Sequence, residues 1–271
     1  MEKPYVISAE LELGYESIIQ PRQIETWRES LDEDLRVCGK NTLWIGADRL
    51  QTGLNQQINA TKLPVLSLDS CYASSADSYL GISRGVGKNL DDAGYQARAG
   101  YAPIDAQLNS IAKIGSEIVI ADDVVFSGEM IGWLADEMAA RNVKIGGVVC
   151  GIAIRDGVEK LAERNIPVYA VEEFDDVDDE ICERDFALLP GSGRRVGELR
   201  ANALYFDTKN GKPEQWMSLP AYSTEAFCRG SLERSLKLLR PELPISAVGS
   251  FVGYGQSGTA QQQIVNRLGE M

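Results

Sequence analysis

Between residues 106 and 171 the chain alternates two hydrophobic patterns, and this alternation constrains the fold more than any other feature. Residues 117–121 (EIVIA), 144–154 and 167–171 (PVYAV) are continuous apolar runs without a polar residue at every second position. Between them lie stretches with helical spacing: residues 130–141 place Ile131, Leu134, Ala135 and Met138 on one face, and residues 157–164 form a second such stretch. Strands apolar on both sides and separated by helices belong to a parallel sheet covered on both faces. The same reading extends upstream, with a strand at 42–46, a helix at 54–60, a second strand at 64–68 and a helix at 106–114. Residues 21–36 predict a helix, with Pro21 in its first turn and Ile24, Trp27, Leu31 and Leu35 along one side. The expected fold class is α/β, a parallel sheet flanked by helices.

Composition then narrows the chemistry. The 271 residues include no histidine, so no Ser-His-Asp or Cys-His catalysis and no His-ligated zinc is available. Acid–base work falls to carboxylates, lysine, tyrosine or water. Forty acidic against 27 basic residues leave a net charge of −13, which argues against duplex nucleic acid as a partner. The five cysteines are scattered with no C-x-x-C pair, as expected of reduced thiols. Neither a signal-peptide apolar region nor a run long enough to cross a bilayer is visible, so a soluble cytoplasmic protein with no membrane partner is expected.

Three domains are expected: a helical extension over 1–39, the α/β core over 40–171, and a C-terminal accessory subdomain over 172–271. Residues 70–105 hold five glycines without sustained periodicity, readable as a mobile loop, a β-hairpin or both. Residues 172–185 carry nine acidic side chains and one basic, a pattern of a solvated face or a metal site. Near residue 223 a further helix begins, reaching 239, with Cys228, Leu232, Leu236 and Leu239 as its stripe. Residues 191–195 (GSGRR) read as an anion loop, on weak grounds.

The segment that carries chemistry is 118–131, IVIADDVVFSGEMI. It reads as an apolar strand, the pair Asp122-Asp123, a short turn and a helix. In α/β proteins the ends of parallel strands bind ligands. Beyond the acidic pair, the amides of Val125, Phe126, Ser127, Gly128 and Glu129 enter a helix N-terminus, where orphan N–H groups and the helix dipole attract phosphate. Carboxylates that accept from hydroxyls beside such a cradle suit a sugar phosphate.

This segment resembles the signature of the phosphoribosyltransferase family (type I fold) for phosphoribosyl pyrophosphate (PRPP). The resemblance implies that Asp122 and Asp123 contact the ribose hydroxyls, touching metal only through ribose or water, and that Val125–Glu129 hold the 5′-phosphate. Glu129 and Met130 stand where the family has Gly and then Thr or Ser. Upstream, residues 47–53 match the family's pyrophosphate loop, with Arg49 as its basic residue; a surface ion pair is the competing reading of Arg49. Residues 70–105 stand where the family has a flexible loop, with Arg84, Lys88 and Arg98 as basic candidates. After the last core strand the family builds a base-binding hood, where Phe186 or a nearby backbone group would meet a nucleobase.

The resemblance thus implies a Mg²⁺-dependent transfer of 5-phosphoribose between PRPP and a nucleobase, by a homodimer. Such a reaction relies on positioning and electrostatics more than on a protein base. The alternative is a non-catalytic sensor of PRPP or a nucleoside monophosphate on the same fold.

Overall fold

The computed structural model describes residues 3–15, 19–86, 92–98, 100–187, 194–196, 199–201 and 213–239. In chain order its elements are β1 (Tyr5–Ser8), α1 (Leu11–Gly14), α2 (Pro21–Val37), β2 (Thr42–Ile45), α3 (Ala47–Ala60), β3 (Val65–Ser67), β4 (Ser78–Tyr79), β5 (Ile82–Val86), β6 (Asp92–Ala97) and α4 (Ile104–Ile111). They continue with β7 (Glu117–Val125), α5 (Glu129–Ala139), β8 (Lys144–Ile154), α6 (Arg155–Glu163), β9 (Val168–Phe174) and β10 (Asp179–Cys182). A 3-10 turn (Glu183–Phe186), β11 (Arg194–Val196), β12 (Leu199–Ala201), α7 (Pro213–Trp216) and α8 (Thr224–Leu239) follow.

The chain divides into two compact units whose boundaries differ from the expected ones. Ile45–Ser83 and Tyr95–Val177 form a parallel-sheet unit, while Met1–Trp44, Arg84–Gly94 and Asp178–Met271 form a terminal unit. Residues 1–39 are therefore not a separate helical extension. They contribute a strand as well as helices to a unit completed by the C-terminal part.

The parallel-sheet unit holds a five-stranded sheet in the order β4-β3-β7-β8-β9. Its four strand pairs are parallel, with Val65 opposite Val119, Ala121 opposite Val149 and Cys150 opposite Ala170. The apolar runs are continuous because both faces are covered. Ile118, Ile120, Val148 and Cys150 face a core made with Ile131, Leu134 and Met138 of α5 and Leu161 of α6. Val119, Ala121 and Val149 are also buried but lie outside that cluster, on the opposite face. That face meets α3: a Cβ on Gly53 would stand 2.7 Å from Val171, and one on Gly151 would stand 3.2 Å from Leu50. These side chains fix the helix against the sheet without leaving room for a methyl.

The terminal unit builds a smaller sheet, β10-β1-β2, with β1 and β10 parallel from Tyr5–Asp179 to Ser8–Cys182. The helix expected at 21–36 is α2, and Ile24, Trp27, Leu31 and Leu35 are the residues it buries. They share a core with Tyr5, Ile7, Phe186, Met217, Phe227 and Leu238. Within residues 70–105 the structure has β5 and β6 as paired strands, and β11 pairs with β5 through Arg195–Gly85 and Val196–Val86. Arg194 and Arg195 thus belong to a strand rather than to an anion loop. Residues 191–193, and with them the rest of that expected loop, lie outside the described residues.

The acidic run is solvated at Glu173, Asp175, Asp176 and Asp178 but not throughout. Glu183 is fully buried and accepts the backbone N–H groups of Glu10 at 2.8 Å and Leu11 at 3.1 Å. Arg28, which also pairs with Glu12, donates to the same carboxylate from Nη2 at 2.8 Å. Burial alone would lower the Arg28 pKa; Glu183 and Glu12 outweigh it and raise it. Phe186, expected as a nucleobase contact, is likewise fully buried, its ring edge-on to Phe227 at 6.1 Å. Its position at the end of a 3-10 turn aims it into the core.

Candidate functional site

In the five-stranded sheet the strand order reverses between β3 and β7. From β3 the sheet grows outward to β4, and from β7 to β8 and β9. Chains leave the two central strands in opposite directions at such a point, opening a crevice at the strand ends where α/β proteins bind ligands. Asp69 follows the end of β3, and Asp122 and Asp123 lie near the end of β7. All three belong to the parallel-sheet unit.

Asp122 is buried, 3% exposed, and its Oδ1 accepts the backbone N–H of Asp123 at 3.1 Å. Asp123 is half-buried and its Oδ1 accepts the N–H of Val124 at 2.8 Å. Burial above all, then the charges of Asp123 and Asp69, push the Asp122 pKa well above the ordinary carboxylate range.

Asp69 was not singled out in the sequence. It is also buried, and its carboxylate accepts N–H groups from Cys71 (3.0 Å), Tyr72 (2.5 Å) and Ala73 (3.0 Å). Burial and the charge of Asp123 raise its pKa, against the pull of those three amides. The signal was present, since Asp69 directly follows an apolar strand as Asp122 does. Its partners, however, stand some fifty positions further on.

The turn after β7 is held in place by glycines. Gly128 caps α5 in the left-handed region, φ 72°, and a Cβ there would stand 2.9 Å from the carbonyl oxygen of Gly157. A Cβ on Gly157 would in turn stand 2.5 Å from the Phe126 oxygen. The turn 126–128 therefore lies directly on the first turn of α6. Val125 is buried beneath it, Phe126 is 43% exposed, and Ser127 and Gly128 are half-buried. The Ser127 hydroxyl accepts the N–H of Glu129 at 3.4 Å, a long bond that leaves the hydroxyl able to donate. The Glu129 side chain is exposed at the helix N-terminus.

The expected pyrophosphate loop is not a loop. Gly46 precedes the helix and residues 47–53 are the first two turns of α3. Gly53, read as a loop glycine, instead allows α3 to approach Val171. Arg49 is 66% exposed and forms an ion pair with Glu172 of β9. Arg84 belongs to the terminal unit and pairs with Asp92 at 3.2 Å. Lys88 lies outside the described residues.

Arg98 is in the parallel-sheet unit, where its guanidinium donates to the carbonyls of Ile82 (2.8 Å) and Leu68 (3.3 Å) and lies over the Tyr79 ring. Among the described residues, no group of three or more Cys, Asp or Glu is placed to hold a metal ion. No helix among them is long and apolar enough to cross a membrane.

No family model matches the sequence, and no curated protein does. Among solved structures, the chain is similar over 47% of its length to UMP synthase of Leishmania donovani, with 11% identity, a TM-score of 0.29 and 27% of that chain covered. It is also similar to the orotate phosphoribosyltransferase of Aeropyrum pernix (15% identity, 47% of this chain, 68% of that one, TM-score 0.29). A third is the purine phosphoribosyltransferase of Pyrococcus horikoshii Ot3 (14% identity, 50% of this chain, 86% of that one, TM-score 0.32). At this level of similarity the strand-end geometry described above has to be read on its own terms.

Proposed function

We propose that the strand-end site binds the 5-phosphoribosyl group of PRPP and transfers it between pyrophosphate and a nitrogen base. One observation carries the reading. The acidic residues at the end of the switch-point strand β7 are followed, after two residues, by a glycine-clamped turn into the N-terminus of α5. Carboxylate oxygens accept from the ribose hydroxyls, while amides of the turn and the Ser127 hydroxyl donate to the 5′-phosphate. With no resident cation cage among the described residues, Mg²⁺ enters this reading as a complex with the pyrophosphate of the substrate. The base is a nucleobase whose identity the site residues do not select.

The experiment is calorimetry of the full chain with PRPP and Mg²⁺, then pyrophosphate release with a panel of nucleobases. Binding with turnover supports the transferase; no binding of PRPP or of a nucleoside monophosphate overturns the reading. Asp123→Asn should weaken PRPP binding by about tenfold or more, the loss of a hydrogen bond to a charged acceptor.

A second reading, a sensor that binds PRPP or a nucleoside monophosphate without turnover, is favoured by Arg49. It lies on a helix in an ion pair with Glu172 rather than on a loop open to pyrophosphate. Ligand-dependent stabilisation without pyrophosphate release supports it, and turnover with any base removes it. In either reading the protein is expected to act as a cytoplasmic homodimer, which sedimentation and fractionation check.

A further inference from the structure

We propose that Asp122 serves the site as a neutral carboxylic acid that donates its proton to Asp123, so that Asp123 alone presents a carboxylate to the ligand hydroxyls. This rests on the ribose-binding reading above and divides the roles of two residues that the reading leaves equal.

The packing around Asp122 carries the inference. Its Oδ1 is used by the Asp123 amide, whereas Oδ2 is buried and has no hydrogen-bond partner. The Asp123 carboxyl lies within hydrogen-bonding reach. Two carboxylates are both acceptors, however, and cannot bond to each other without a proton.

Among the described residues, the groups that face Asp122 from neighbouring strands supply no positive charge. From the end of β3 comes Asp69, a further carboxylate, fixed by three amides and so unable to turn away. From β8 comes Cys150, opposite Asp122 in register, a buried thiol whose own ionisation is opposed by burial and by Asp122. From β9, Glu173 adds one more negative charge near Cys150. The Arg98 guanidinium is spent on the Ile82 and Leu68 carbonyls and the Tyr79 ring.

An ionised carboxylate at Asp122 would thus be buried among like charges with no counter-ion among the described residues, which is costly. One proton on Oδ2 removes that charge and supplies the missing donor. The same arrangement explains why a polyanionic ligand can approach: the pair presents one negative charge instead of two. Asp122 is then a positioning residue, holding the Asp123 carboxylate in one orientation.

Two readouts on the full chain test this. Infrared difference spectroscopy of wild type against Asp122→Asn should show a protonated-carboxyl band at pH 7 that belongs to Asp122 and fades on alkaline titration. Calorimetry with Mg-PRPP should find Asp123→Asn weakened about thirtyfold and Asp122→Ala about tenfold, while Asp122→Asn, which keeps a donor of the same shape, is weakened only about threefold. Absence of the band in wild type, or an Asp122→Asn loss as large as that of Asp123→Asn, overturns the proposal. Should PRPP not bind wild type at all, the ribose reading fails by itself and the infrared result still decides the charge of Asp122.

Discussion

The two units of this protein surround their buried acids differently. In the terminal unit the buried Glu183 faces Arg28, and the buried Glu10 faces Arg184 at 2.9 Å. In the parallel-sheet unit, burial and neighbouring carboxylates raise the pKa values of Asp69 and Asp122, and Arg98 is bonded to main-chain oxygens. A buried acid with a cation built against it is explained by the fold that contains it. Asp69 and Asp122, buried with no such cation against them among the described residues, cost stability, and groups of this kind cluster at functional sites.

The sharpest way to break this contrast is to remove a compensated acid. Glu183→Ala leaves Arg28 and two amides without their acceptor, and should cost about 3–5 kcal/mol in urea denaturation of the full chain. Adding Arg28→Met should recover part of that loss. If Glu183→Ala is nearly neutral, the terminal unit does not depend on its ion pairs and the contrast falls.

Next in size is the turn that follows Asp122 and Asp123. Gly128→Ala forces a side chain into the left-handed region and against Gly157, which should cost about 1–2 kcal/mol, and PRPP affinity should fall at least as far as in Asp123→Asn.

The pH dependence of stability sharpens the comparison further. The folded-state pKa of Asp122 is raised, so the native protein holds a proton that the unfolded chain releases. Stability is therefore unaffected below the ordinary carboxylate pKa and declines as pH rises from there toward the raised value. The decline approaches about 1.4 kcal/mol per pH unit and should disappear in Asp122→Asn. Denaturation midpoints from pH 4 to 8 for the two proteins check the sign.

The smallest effect belongs to Arg49→Gln. Its exposed ion pair with Glu172 should contribute less than about 1 kcal/mol to stability. Affinity is the informative measurement: a loss for PRPP but not for ribose 5-phosphate would place Arg49 at the pyrophosphate.

Much of the parallel-sheet unit was legible because its signals are local. The run EIVIA is apolar on both sides because β7 lies between β3 and β8 with helices on both faces. The α2 stripe repeats at helical spacing because one side of that helix meets the core. What was not legible depends on partners distant in sequence. Gly53 looks like a loop residue until Val171 is brought against it. Asp69 is one acid after one strand until Asp122 and Asp123 arrive beside it. The acidic run counted as surface because nothing near Glu183 shows that Arg28, 155 residues earlier, is waiting for it.

The pairing of β1 with β10 has a consequence for how the chain is made. Tyr5 is synthesised well before Met217, whose carbonyl accepts its hydroxyl from 212 residues further on. Residues 45–177 can complete every strand of the five-stranded sheet before most of β1's partners exist. During that interval the Tyr5–Ser8 strand, wholly buried in the finished protein, has β2 on one side but lacks β10 on the other. Nascent chains stalled between residues 178 and 217 should therefore be the species most prone to bind chaperones, with the parallel-sheet unit folded and the terminal unit incomplete.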